Sequence, residues 1–221
     1  MTPVQIPFDL GHEIAFSQSD FLIAPCNGAA HGWLERWPDW PGFALALVGP
    51  AGCGKSHLAH IFQTRTGATI IAAPALSTQS VPALAEHVGV VVEDADRGVD
   101  ETALFHLYNL LKENRRFLLL TGRDAPARWP ISLPDLHSRI TTVPVAPIGA
   151  PDDELLNALL LKLFADRQIR IAPDLPAYLV ARMERSFAAA RALVAKIDRH
   201  ALALGRPVTV ALVRSVLDQP S

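Results

Sequence analysis

One stretch constrains this chain more than any other: Phe43-Ala-Leu-Ala-Leu-Val48 runs directly into Gly49-Pro-Ala-Gly-Cys-Gly54-Lys55-Ser56, and a helical pattern follows over residues 55–64. A continuous apolar run without polar alternation describes a strand buried on both faces, as in a parallel sheet with helices on either side. The octapeptide has the form G-x-x-x-x-G-K-S, and a strand before it with a helix after it is the context that pattern requires. Its glycines let backbone N–H groups curl around phosphate oxygens, and Lys55 reaches the β and γ phosphates. Ser56 can ligate Mg²⁺, while the helix N-terminus adds partial positive charge. Pro50, Ala51, Gly52, Cys53, Gly54, Lys55 and Ser56 are therefore candidate nucleotide contacts. Cys53, beside Lys55 and a helix N-terminus, is expected to have a depressed thiol pKa and is a candidate redox switch. The blander reading, that a small Cys is tolerated where the loop works through its backbone, is preferred.

Further strands are expected at residues 69–73, 88–92 and 117–121, with residues 140–145 supplying a fifth. Helical spacing at Leu104, Leu107, Tyr108 and Leu111 follows Asp100, a possible N-cap. Strands alternating with helices predict an α/β layer with a parallel sheet up to about residue 148. From Pro151 onward only helices are predicted: one over residues 152–164, one capped by Asp174 and running through Tyr178, Leu179 and Met183, one from Ala190 to a stop at Gly205, and a short one after Thr209.

A phosphate loop needs an acidic partner for Mg²⁺ and water. Val90-Val-Val-Glu93-Asp94 provides it: an apolar strand ending in two acids, in the reverse of the usual Asp-Glu order of a Walker B motif. Glu93 is the candidate metal ligand with Ser56, and Asp94 the candidate water-polarising acid. The reversal leaves nucleotide binding intact and puts the rate of hydrolysis in question. Thr121, ending the fourth strand, is placed to sense the γ phosphate or the attacking water.

Composition narrows the class. Half of the 221 residues are hydrophobic and the formal charge is −2, which suits a folded chain with a large core and excludes disorder over most of its length. Of the 20 basic residues 16 are Arg, without a basic block, so direct sequence-specific DNA binding is not expected. Two cysteines cannot form a disulfide framework. No signal peptide and no run long enough to span a bilayer is read, so a cytoplasmic location is expected.

Gly-Lys-Ser-His57-Leu after Gly-Pro-Ala-Gly-Cys resembles the phosphate loop of the DnaA branch of the AAA+ ATPases. Asp20-Phe-Leu-Ile-Ala-Pro-Cys-Asn27-Gly-Ala-Ala30 resembles that branch's adenine-cradling segment, of form Phe-x-x-Gly-x-x-Asn-x-x-Ala, with Ala24 where Gly is usual. Trp37-Pro-Asp-Trp-Pro, Glu93-Asp-Ala-Asp96 and Leu133-Pro-Asp-Leu-His-Ser-Arg139 look like the Hda-type regulators of the branch, over about residues 5–217. The resemblance implies a P-loop AAA+ α/β core (residues 13–148) followed by an all-α lid domain (residues 149–221). It implies ADP or ATP with Mg²⁺ as ligands, and Phe21, Leu22, Ile23, Asn27 and His57 as further nucleotide contacts. Arg139 would be an arginine finger aimed at a neighbouring subunit's nucleotide. Arg191 would be the second sensor arginine, with Ala188 or Ala189 as alternative alignments of that position. Gln5, Ile6, Phe8 and Leu10, in a flexible tail over residues 1–12, resemble the peptide by which the family docks on the DNA polymerase sliding clamp; a tail folded back on its own domain is the alternative.

The function this implies is regulatory: a homo-oligomer, weak as an ATPase itself, that binds the clamp and stimulates hydrolysis of ATP held by the initiator DnaA. Nothing after Ser221 would supply an origin-binding domain. A self-hydrolysing AAA+ motor or helicase loader is the alternative, disfavoured by the lack of a substrate-gripping insertion and of a basic, aromatic strand-binding surface. A small-molecule kinase is disfavoured because no acceptor pocket is read between Asp94 and Arg139.

Overall fold

A computed structural model describes residues 22–218. The chain divides between Ala150 and Pro151 into two compact units. In the first, β1 (Ala44–Val48), β2 (Thr69–Ala72), β3 (Gly89–Glu93), β4 (Phe117–Gly122) and β5 (Val145–Pro147) form one sheet in the order β2-β3-β4-β1-β5, and every pairing is parallel. The helices of this unit are α1 (Gly28–Glu35), α2 (Lys55–Thr66), α3 (Val81–Leu84), α4 (Glu101–Glu113) and α5 (Pro134–Ile140).

All five residues of β1 are buried, because successive side chains point to opposite faces and both faces are covered. Ala44, Ala46 and Val48 join Val90, Val92, Leu118 and Leu120 beneath α3, α4 and α5. Leu45 and Leu47 join Val91 and Leu119 beneath α1 and α2. The tryptophans of the irregular entry segment close this second core. Trp40 stacks on Phe62 with ring centroids 5.5 Å apart, and Trp37 meets Phe62 edge-on at 6.0 Å.

The fifth strand differs from expectation. It covers Val145–Pro147 only, and Ile140, assigned to it from sequence, ends α5. Ile140 is fully buried on the helix's inner side, so its hydrophobicity signals core and not strand.

The second unit is all-α: α6 (Asp153–Asp166), α7 (Leu175–Val180), α8 (Phe187–Leu204) and α9 (Val210–Leu217). Asp152, Ser186 and Thr209 cap α6, α8 and α9 by accepting backbone N–H bonds, and Gly205 ends α8 in the left-handed region at φ 60°. Asp174 occupies the N-cap of α7 but its side chain accepts no backbone bond there. Its own backbone is already helical, which does not match the extended conformation a capping side chain usually works from. α7 also stops at Val180, before Met183. α6 packs against α7 and α8, and α8 against α9, around fully buried Leu156, Leu160, Phe164, Leu179, Val194 and Ile197.

Candidate phosphate site and a second arginine site

The strand order places the C-terminal ends of β1, β4 and β3 side by side, and a crevice beyond the carboxyl ends of parallel strands is where such sheets bind ligands. From β1 the chain enters the loop at Gly49, whose N–H donates to the Gly122 carbonyl at 3.1 Å. No other residue fits there: a Cβ on Gly49 would collide with the Ile148 carbonyl oxygen and come within 2.8 Å of Cys53 Sγ. Gly52 at φ 70° and Gly54 at φ 103° turn the loop through the left-handed region, which glycine enters without steric cost. The first turn of α2 then begins at Lys55, with Ser56 exposed on it and His57 buried. Pro50 and Ala51 are exposed.

Lys55 is buried inside the loop. Its ammonium donates to the carbonyls of Gly49 at 2.7 Å and Pro50 at 3.0 Å and lies 4.0 Å from Cys53 Sγ. An ammonium held only by neutral acceptors keeps its full charge for an anion, and phosphate binding would exchange carbonyls for phosphate oxygens. The expected depression of the Cys53 thiol does not occur: burial pushes its pKa up, outweighing the opposing pull of Lys55. The side chain is 1% exposed, so it fills the space under the loop.

Next to β1 in the sheet, β4 carries Thr121 opposite Leu47. On the far side of β4 lies β3, ending at Glu93. Thr121 is the joint between the two loops. Its hydroxyl accepts the Asp94 N–H at 2.9 Å and its carbonyl accepts the Ala95 N–H at 2.8 Å. A third bond, from the Arg123 N–H to Asp96 Oδ2 at 2.9 Å, continues the fastening past the strand ends. Asp96, part of the Glu93-Asp-Ala-Asp96 resemblance but given no role there, fastens these strand ends through a contact that depends on β4 lying beside β3.

Glu93 is half-buried, and its Oε1 is buried without a hydrogen-bond partner. An orphaned carboxylate oxygen at the strand end and an exposed hydroxyl at the start of α2 are oxygen groups of the kind a divalent cation takes as ligands. Asp94 is exposed and left-handed, at φ 52°.

The adenine-type segment lies close by along the chain's path. The Gly149 N–H donates to the Cys26 carbonyl at 2.7 Å and the Ile148 N–H to the Val48 carbonyl at 2.7 Å, which draws residues 22–28 alongside the loop. Asn27 is fully buried and works within its own turn: its amide donates to the Leu22 carbonyl at 2.9 Å and its oxygen accepts the Ala24 N–H at 2.8 Å. Ile23 is 61% exposed and is the segment's available apolar contact, with Leu22 half-buried. Phe21 and the tail residues Gln5, Ile6, Phe8 and Leu10 lie outside the described residues. Arg191 lies half-buried on α8, in the helical unit.

Among the described residues Arg139 makes no hydrogen bond to the loop that begins at Gly49. Near the C-terminus of α5, its Nε donates to Asn109 Oδ1 at 3.2 Å and its Nη1 to the Asp135 carbonyl at 2.7 Å. Its guanidinium carbon stands 4.7 Å from the centre of the Phe105 ring. Burial pushes the neighbouring Tyr108 phenol up from its ordinary range, with the Arg139 charge opposing.

With this geometry in view, comparison with known proteins defines the fold. Domain III of the Thermotoga maritima replication initiation protein DnaA superposes with a TM-score of 0.79, covering 98% of each chain at 17% identity. The initiator DnaA bound to AMPPCP and single-stranded DNA gives 0.68, over 83% of this chain and 64% of that one, at 14% identity. The Thermotoga maritima RuvB Holliday junction branch migration motor gives 0.65, over 86% of this chain and 65% of that one, at 15% identity. In sequence, an uncharacterized protein of Haemophilus influenzae is 25% identical over 185 residues, 78% of this chain and 80% of that one. No family model matches the chain. The fold is a DnaA-like AAA+ fold. Among the described residues no helix is long and apolar enough to cross a membrane.

Proposed function

We propose that this chain, with its DnaA-like AAA+ fold, is an Hda-type regulator: it binds an adenine nucleotide with Mg²⁺, docks on the sliding clamp through residues 5–10, and promotes hydrolysis of ATP held by DnaA. Lys55 and the loop amides would hold the phosphates, Ile23 would contact the base, and Ser56 with Glu93 would hold the metal. A bound Mg²⁺ neutralises phosphate charge and orients the terminal phosphate. Thr121 and Asp94, tied to each other, would sit at the water side of the same crevice.

The observation that supports regulation in trans is the place of Arg139. Its hydrogen bonds among the described residues go to α4 and to its own helix, and none to the loop that begins at Gly49. An arginine with no part in its own chain's phosphate site suits a neighbour's, where a finger accelerates phosphoryl transfer by about 10³ to 10⁵. The experiment is to load DnaA with labelled ATP and follow ADP formation with this protein and DNA-loaded clamp present or omitted. Rapid conversion only when both are present is expected. Conversion unaffected by this protein would contradict the proposal.

A second reading, a self-hydrolysing motor, draws on the likeness to RuvB and on the tied Thr121-Asp94 pair beside Glu93. Substantial ATP turnover by the protein alone, raised further by single-stranded DNA, would favour it.

A further inference from the structure

Arg139 is held only by neutral partners. An arginine that cross-links two helices of one domain is most strongly held by a carboxylate, which matches its planar fork with two charge-assisted bonds. Here Nε goes to the amide oxygen of Asn109, Nη1 to the backbone carbonyl of Asp135, and the guanidinium carbon stands over the Phe105 ring. Among the described residues no ion pair involves Arg139.

A guanidinium has five N–H donors. The two inner contacts use the Nε hydrogen and one on Nη1, which leaves both Nη2 hydrogens and one on Nη1 to donate to a phosphate.

Both sides of the cradle are set by helical spacing. Phe105 and Asn109 are four apart on α4, and Asp135 and Arg139 are four apart on α5, so each pair shares a helix face. Nor does α5 need Arg139 to stay in place. The Glu101 carboxylate at the start of α4 accepts the Ser132 N–H at 3.0 Å and the Leu133 N–H at 2.6 Å, and Leu136 and Ile140 are fully buried. The docking of α5 is thus secured by other groups.

We propose that Asn109 and Phe105 are positioning residues for Arg139, fixing its guanidinium by uncharged contacts so that its whole charge and remaining donors are presented to the phosphates of a partner's nucleotide. The inference rests on the reading that Arg139 acts in trans. Asn109 suits the role because it accepts from Nε without a negative charge. A carboxylate at 109 would hold Arg139 at least as firmly and cancel the charge it is there to deliver.

That difference supplies the test, because a purely structural clamp predicts the opposite result. Asn109→Asp is compared with the unaltered protein and with Arg139→Ala in the conversion of DnaA-held ATP, with clamp on DNA, while thermal unfolding is followed in parallel. The expected result is a loss of at least about tenfold in the maximal stimulated rate, an unchanged concentration for half-maximal stimulation, and a melting temperature no lower than that of the unaltered protein. Phe105→Leu should lower the maximal rate several-fold and Phe105→Tyr, which keeps the ring, should restore it. These two variants decide the matter if Asn109→Asp fails to fold. Full stimulation by Asn109→Asp, or equal behaviour of the Leu and Tyr variants, overturns the inference while the trans reading stands. Stimulation that survives Arg139→Ala overturns the trans reading itself and this inference with it.

Discussion

Asp94 shows how a backbone conformation selects a residue type. Its φ of 52° lies in the left-handed region, where Asp and Asn are enriched and β-branched side chains are strained. Glu93 sits in the extended strand end and Asp94 takes the left-handed turn. Asp94→Asn should leave chemical denaturation unchanged, whereas Asp94→Val should cost about 1–2 kcal/mol. Equal stabilities of the two variants would refute the explanation. Cys53 carries the second residue-level expectation. Since burial raises its thiol pKa, the thiolate is scarce at neutral pH and alkylation of the native protein should be much slower than that of the unfolded chain. Above the ordinary thiol range the unfolded chain releases this proton first, so this group lowers stability as pH rises. Rapid native alkylation at pH 7 would contradict the assignment. Residue types and spacing made Lys55, Ser56, Glu93 and Thr121 legible as candidates. The orientation of the Cys53 thiol and the left-handed Asp94 turn arise from packing and were not.

At the scale of elements, the central strands announced themselves because they are buried on both faces, and β1, β3 and β4 carry almost uninterrupted apolar runs. Shorter pieces did not: β5 is three residues long, α5 is seven, and an apolar residue such as Ile140 satisfies either reading. Arg139 could be picked out by its motif, yet its contacts with Phe105 and Asn109 join segments about thirty residues apart and follow only from how α5 packs on α4. The junction of β3 and β4 makes a measurable claim. Thr121→Val keeps the strand but removes the acceptor of the Asp94 N–H, and leaving a partly buried donor unsatisfied should cost about 1–3 kcal/mol. Thr121→Ser, which keeps the hydroxyl, should recover most of it in the same denaturation experiment. If Val and Ser are equally stable, Thr121 is not the joint between the two loops.

On the scale of the whole molecule, the proposed function rests on one crevice and one arginine. Lys55, Ser56, Glu93, Asp94 and Thr121 lie at or just beyond the ends of β1, β3 and β4, where the proposal puts a nucleotide of the chain's own. Arg139, on α5, is bonded to α4 and to its own helix through neutral partners. Everything proposed for the molecule therefore depends on Arg139 acting on ATP that another protein holds. The most direct test is a single-turnover measurement of DnaA-bound ATP with the DNA-loaded clamp, comparing the unaltered protein with Arg139→Ala after verifying that both bind nucleotide and clamp equally. The substitution should return the rate to that of DnaA alone, a fall of about 10³-fold or more if the finger contributes as such arginines do. A rate within a fewfold of the unaltered protein would contradict a role for Arg139 in trans.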